Sequence, residues 1–231
     1  MKRVPLTTSI ILLLCFYANA QSGVDRGITH EGMYSNPALG FSFKYPKDWV
    51  VHGEATNKHI RELGKEKVAE SGALSKPSLE VALNNTYHLL TVFRHAVGTP
   101  GITFNPGILV IAEKVAHAPG ITNGKDYLLN VRALLRKAGV QVLLEEPMEN
   151  RFAGSQFFRD DYVMENNGVR VVQAYFANIV NGYALVFIFL GPDQTSVDEM
   201  SKAMETFALT PPIRRGVTTK INPAPQRKPR H

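Results

Sequence analysis

Apolar and polar residues along this chain change their period several times, and each period predicts an element. From Phe41 to Tyr45 aromatic residues alternate with Ser42 and Lys44, the two-residue repeat of a strand with one buried face. Asn36-Pro37 and Gly40 supply turn chemistry ahead of it, Pro46 stops it, Lys47-Asp48 turns the chain, and Trp49 opens a second apolar segment. Residues 57–72 are charged with a thin apolar stripe, Ile60, Leu63, Gly64 and Val68, which predicts a helix. Residues 87–97 and 108–116 read as strands joined by a loop rich in Pro and Gly.

A helix is predicted over residues 125–138, where Tyr127, Leu128, Val131, Leu134, Leu135 and Ala138 recur at helical spacing. Gly139 stands where a left-handed cap is wanted, and a strand over 140–144 follows. The clearest sheet signal comes next. Residues 157–165, 169–180 and 183–190 are strand-like and are separated by Asn167-Gly168 and Asn181-Gly182. Asn-Gly suits the two-residue turn whose twist matches paired strands, so three consecutive antiparallel strands are expected. Residues 184–190 are apolar on both faces, so helices should cover both sides of the sheet. Ser196 with Glu199 three residues on reads as a capping box for a last helix, whose inward stripe is Val197, Met200, Ala203, Met204 and Phe207. Pro211-Pro212 ends that helix.

The order of elements is that of one α+β domain over residues 34–210, with mainly antiparallel pairing. Residues 1–20 read as a secretory signal: Lys2 and Arg3, an apolar run from Ile10 to Phe16, then Ala18-Asn19-Ala20 before the cleavage point. Export to the periplasm or medium is the expectation, with no membrane-spanning segment left after cleavage. Residues 21–33 read as a loose lead-in, and residues 211–231 as a disordered basic, Pro-rich tail. Cys15 is the only cysteine, so disulfides, thiol catalysis and cysteine zinc sites fall away with the signal.

The net charge of +6 belongs to the ends. Lys2 and Arg3 leave with the signal, and Arg214, Arg215, Lys220, Arg227, Lys228 and Arg230 lie in the tail. Setting these eight aside leaves 18 of the 26 basic residues against 20 acids, a body near −2. That charge speaks against a nucleic-acid face and points the tail toward a protein or an anionic envelope component.

The opening G-F-S-F-K-Y-P-K-D-W of Gly40 to Trp49 resembles the first hairpin of PsbP-like domains. The closing pattern, a hydrophobic strand over 183–190 and a helix over 197–207, resembles that family too, and the likeness extends over residues 34–209. The resemblance implies an α/β/α sandwich around an antiparallel sheet. The family includes an extrinsic photosystem subunit, a Ran-GTPase-binding import factor and many exported bacterial proteins. It supplies no catalytic residues to carry over, and its fold does not dictate one function.

Candidate chemistry is sparse. Nothing matches G-x-S-x-G, G-x-G-x-x-G or the Walker loop. His30-Glu31 begins like H-E-x-x-H, but Tyr34 stands at the fifth position and Gly32 and Pro37 oppose a helix. His52, Glu54, His59 and Glu62 lie within eleven residues and are weak metal candidates, with a solvated charged face the better reading. His88, His95 and His117 lie near strand ends and read as surface or capped residues. H-A-P-G-I-T at 117–122 echoes residues 95–103, most simply as two similar turns.

The polar group Arg159, Asp160, Asp161 and Tyr162 sits inside the hairpin. With Asn167-Gly168 as turn centre, Glu165 faces Arg170, Tyr162 faces Gln173, Asp161 faces Ala174 and Arg159 faces Phe176. Alternation then puts Arg159 and Asp161 on one face, and Asp160, Tyr162, Gln173 and Tyr175 on the other. This is either a small polar ligand pocket or a strand end with Arg159 and Asp161 paired. Adjacent Asp160 and Asp161 diverge and cannot flank one scissile bond. The reading that follows is an exported, non-enzymatic binding domain without a cofactor, with a small-ligand or metal carrier as alternative and a hydrolase last.

Overall fold

Two antiparallel sheets stack face to face, and the aromatic residues of the opening hairpin form the seam between them. A computed structural model describes residues 24–210 apart from positions 117, 119 and 167. The stretch expected to be a signal segment and the one expected to be a basic tail lie outside the described residues.

In chain order, β1 (Ile28–His30), β2 (Met33–Asn36), β3 (Phe41–Lys44) and β4 (Val50–Val51) lead into helices α1 (Glu54–Ser71) and α2 (Lys76–Asn85). Strands β5 (Thr86–Phe93) and β6 (Gly107–Lys114) precede α3 (Gly124–Lys137). Then come β7 (Gln141–Val142), β8 (Met148–Phe152), β9 (Ser155–Asn166), β10 (Val169–Val180) and β11 (Tyr183–Gly191). The described chain closes with α4 (Gln194–Ser201), a 3-10 turn over Lys202–Thr206 and β12 (Ala208–Leu209). The large sheet runs β4-β5-β6-β11-β10-β9-β7, with β8 also paired to β9; the small one runs β1-β2-β3-β12.

The register of the central hairpins is the one the Asn-Gly spacing predicts. Glu165 pairs with Arg170, Tyr162 with Gln173, Arg159 with Phe176, and Phe176 with Phe187. Asn181 and Gly182 both take positive φ, 51° and 81°, which a two-residue turn of this hand requires and which Asn and Gly tolerate best. The Phe176 ring lies between Phe152 and Phe189 with the Arg159 guanidinium over it.

Because β11 is apolar on both faces, it needs two covers. On one face Tyr127, Leu128, Val131 and Leu135 of α3 and Ile60 and Val68 of α1 pack on Leu109, Ile111, Val186 and Ile188. The other face meets Phe41 and Phe43 of the small sheet together with Val197, Met204 and Phe207. The fold is α+β with helices on both faces, as expected, and a second sheet shares the outer layer. Its seam is an aromatic cluster, with Phe187 edge-on to Phe43 at 5.0 Å between ring centres.

Several local expectations shift. The lead-in contains β1, which pairs with β2. Trp49 is only partly buried at the rim of the seam, because Lys47-Asp48 turns the chain outward before it. Helix α2 is not predicted by periodicity, although Ser75 caps it and Pro77 sits in its first turn, a standard start signal. The last helix begins at Gln194, not Ser196: the Asp193 side chain accepts from the Ser196 backbone N–H, so the cap lies three residues earlier. The strand over 140–144 shrinks to β7, and β8 is an additional strand. Gly139 has φ 80°, the left-handed position expected after α3.

Helix α3 starts hard against the sheet. The Asn123 side chain accepts from the N–H groups of Lys125 and Asp126 at 2.8 and 3.1 Å. A Cβ at Gly124 would lie 2.1 Å from the Ala177 carbonyl oxygen, so only glycine allows this approach. The contact fixes where the rest of α3, including Arg132, meets β9.

Candidate functional site

Strand β9 carries its polar residues to both faces of the sheet, as alternation demands, and each face supplies partners from a different helix. On the α3 side, Arg132 donates from Nε and Nη2 to the two carboxylate oxygens of Asp160 at 2.9 and 2.8 Å. The same guanidinium donates to the Glu145 carbonyl at 2.6 Å. The Tyr162 hydroxyl donates to Asp160 at 2.8 Å, and the Asp161 N–H reaches the same carboxylate at 3.1 Å. Burial and the neighbouring Asp160 charge push the Tyr162 hydroxyl pKa far up, so it stays a donor. The Asp160 hydrogen bond, together with that charge, raises Arg132 further. On the same face Tyr175 donates to Gln173 at 2.9 Å, and Gln173 reaches the Met164 sulfur at 3.2 Å.

On the opposite face Arg159 binds Asp161 through two bonds of 2.7 Å each. The guanidinium also contacts Asp198 of α4, and Gln194 donates to Asp161 at 2.8 Å and to Asp198 at 3.1 Å. Arg159 and Asp161 are therefore paired, and the pair pins α4 to the sheet. All six residues singled out from the sequence are found on the faces assigned to them. Asp160 and Tyr162 join one ion-pair network with Arg132, Arg159 and Asp161 join another with Gln194 and Asp198, and Gln173 and Tyr175 are hydrogen-bonded to each other beside the first.

The weak metal set does not converge. Glu54 binds Arg61 at 2.6 Å and Arg26 at 2.5 Å, His59 is exposed, and Glu62 lies on α1. The His52 ring packs edge-on to Phe93, and burial lowers its pKa, so it is neutral. Among the described residues no group of three or more His, Cys, Asp or Glu side chains could hold a metal ion. His95 is half-buried and joined to Asn105 by two bonds of its main chain. His88 is buried on β5 rather than at the surface, because it lies opposite Ile111 on a sheet face that α1 and α3 cover.

No protein-family model and no curated protein sequence matches this chain. Among solved structures it is similar to cyanobacterial PsbP from Synechocystis, with TM-score 0.46 and 12% identity, covering 81% of this chain and 98% of that one. A Bacteroides thetaiotaomicron crystal structure aligns with TM-score 0.40 and 11% identity over 78% of this chain and 49% of the other, so this chain spans about half the length of that protein. LpqN of Mycobacterium tuberculosis, involved in cell envelope biogenesis, aligns with TM-score 0.38 and 11% identity, covering 74% and 83%.

Arg159 is the partner the sequence offers Asp161; the Arg132 partner of Asp160 and the α4 partners of Arg159 and Asp161 lie outside that local pattern. Arg132 interrupts the apolar stripe of α3 beside Val131 and Leu135, and a charge on a buried stripe is itself a signal that an opposite charge waits beneath. Asp198 and Gln194 share a face at i, i+4 on α4. That spacing is common on solvated helices, so nothing in it marks Arg159 as the partner.

Proposed function

We propose that this chain acts as an exported, non-enzymatic binding domain for a protein or an anionic envelope component. The observation that carries this reading is how the polar side chains within the sheet are spent. Asp160 is held by Arg132 and Tyr162, and Asp161 by Arg159 and Gln194. A carboxylate clamped by a guanidinium has its lone pairs engaged and is badly placed for proton transfer or nucleophilic attack.

Recognition then falls to charge outside these networks. The Thr210 N–H donates to the Gly40 carbonyl at 2.9 Å, fixing the point at which the chain leaves the small sheet. Beyond it follow Arg214, Arg215, Lys220, Arg227, Lys228 and Arg230 without an acid. Such a segment attracts anionic polymer or lipid head groups, while a body near −2 does not. The test compares the chain cleaved after Ala20 with one that also ends at Thr210, in sedimentation with phosphatidylglycerol vesicles and with purified envelope polymer. Binding by the longer chain alone, lost as salt rises to physiological strength, is the expected result. Equal binding by both would move recognition to the folded domain.

A further inference from the structure

The small sheet spends one face on the aromatic seam and turns the other toward solvent. Alternation puts Tyr34, Phe41 and Phe43 in the seam and sends Met33, Ser35, Ser42 and Lys44 outward. The register sets the outward residues in two rows. One runs His30, Met33, Lys44, and the other runs Ile28, Ser35, Ser42, Ala208. Ile28 and Met33 are diagonal neighbours across β1 and β2, and they are 68% and 42% exposed. With His30, Glu31, Ser35 and Lys44 they line an open hollow of about 320 Å³.

The hollow thus has two apolar side chains in its lining and an exposed ammonium beside them. Glu31 also borders it, 3.9 Å from the His30 ring. The described chain ends in this same sheet. Strand β12 is the edge opposite β1, three strand spacings or roughly 14 Å away. The segment that carries Arg214, Arg215 and the later basic residues therefore departs from the sheet that bears the hollow. Building on the tail's attraction for anionic surfaces, we propose that the outer face of the small sheet docks on an anionic lipid surface. Ile28 and Met33 enter the head-group region, and Lys44 sits at the phosphates.

The size and charge of the face favour lipid over a protein partner. Strand β1 has three residues and stops at Gly27, with φ 72°, and at the Glu31-Gly32 turn, with φ 44° and 76°. So short an edge offers too few main-chain groups to hold an added strand. A stable protein interface takes about 800 Å² from each partner, and two apolar side chains supply only a fraction of that. A lipid surface asks for less. Shallow apolar insertion is weak alone and becomes effective when a polybasic segment holds the same body at the membrane. Lys44 suits this position, because its stem lies along apolar surface while its ammonium stays in water among the phosphates.

The experiment uses residues 21–231 with vesicles of phosphatidylcholine containing phosphatidylglycerol, at low salt. The double variant Ile28→Ser, Met33→Ser should keep the parent's Tm, since both side chains are exposed. The lipid concentration for half-maximal sedimentation should rise at least fivefold. Residues 21–231 contain no cysteine, so Met33→Cys accepts a polarity-sensitive dye at one site. Its emission should move to shorter wavelength on these vesicles and not on pure phosphatidylcholine. The same dye at Val81→Cys, exposed on α2 at the opposite layer, should not respond. Equal binding by parent and double variant would overturn the docking face while leaving the tail's role intact. No binding by the parent would overturn both. A dye at Val81 that responds as strongly as one at Met33 would also sink the proposal. So would a lipid-free dimer that the double variant abolishes, which would assign the face to a second copy.

Discussion

Arg132 on α3 grips Asp160 on β9 through two near-parallel hydrogen bonds of 2.9 and 2.8 Å, with both side chains withdrawn from solvent. Two charges at this depth are costly to desolvate, so the pair is held in place by further bonds from Tyr162 and to the Glu145 carbonyl. Removing one partner strands the other. Asp160→Asn and Arg132→Met should each lose about 3–5 kcal/mol in urea unfolding. The double variant should lose clearly less than the sum, because no buried charge is left behind. Additive losses would show that the two residues act independently.

Gly124 offers a sharper steric test. A methyl group there meets the Ala177 carbonyl oxygen at 2.1 Å, and that atom belongs to the backbone of a central strand, which cannot step aside. Gly124→Ala should destabilise by about 1–3 kcal/mol despite alanine's better helix propensity. A neutral or stabilising result would mean that α3 can slide along β10.

Trp49 packs at the rim of the aromatic seam and keeps part of its ring in water. Trp49→Ala should therefore cost about 1–3 kcal/mol, below the loss typical of a fully buried tryptophan. As the only tryptophan it reports its own setting: iodide should quench it at a rate between that of free indole and that of a sealed core. Quenching at either extreme would contradict the partial burial.

Glu113 on β6 lies beneath α3 with the Tyr127 hydroxyl donating to it at 2.8 Å, and burial pushes its carboxyl pKa up. A carboxyl that binds its proton more tightly folded than unfolded favours folding at low pH and opposes it as pH rises above the ordinary Glu value of about 4.3. Glu113→Gln should consequently melt higher than the parent at pH 7 and level with it near pH 4. A difference in Tm that does not change with pH would remove ionisation as the cause.

Much of the large sheet could be read from the chain itself. Two Asn-Gly pairs fix turn centres, and the side-chain period of two then dictates every pairing from Glu165–Arg170 to Phe176–Phe187. The same arithmetic assigns Arg159 and Asp161 to one face and Asp160, Tyr162, Gln173 and Tyr175 to the other. Helix α3 was equally legible, since its apolar stripe runs unbroken for three turns apart from Arg132. These are local signals, each complete within a dozen residues.

What the tertiary structure decided is who meets whom across long separations. Arg132 and Asp160 are 28 residues apart, and Arg159 and Asp198 are 39 apart. No periodicity connects such positions, because the distance between them depends on how helices dock on a finished sheet. For the same reason the double-faced apolar strand β11 announced two covers without saying that a small sheet would share one of them. The bulge at His88 is the plainest case. A register shift of one residue just after it turns Leu89 and Leu90 both toward the seam, which strict alternation along β5 would not allow.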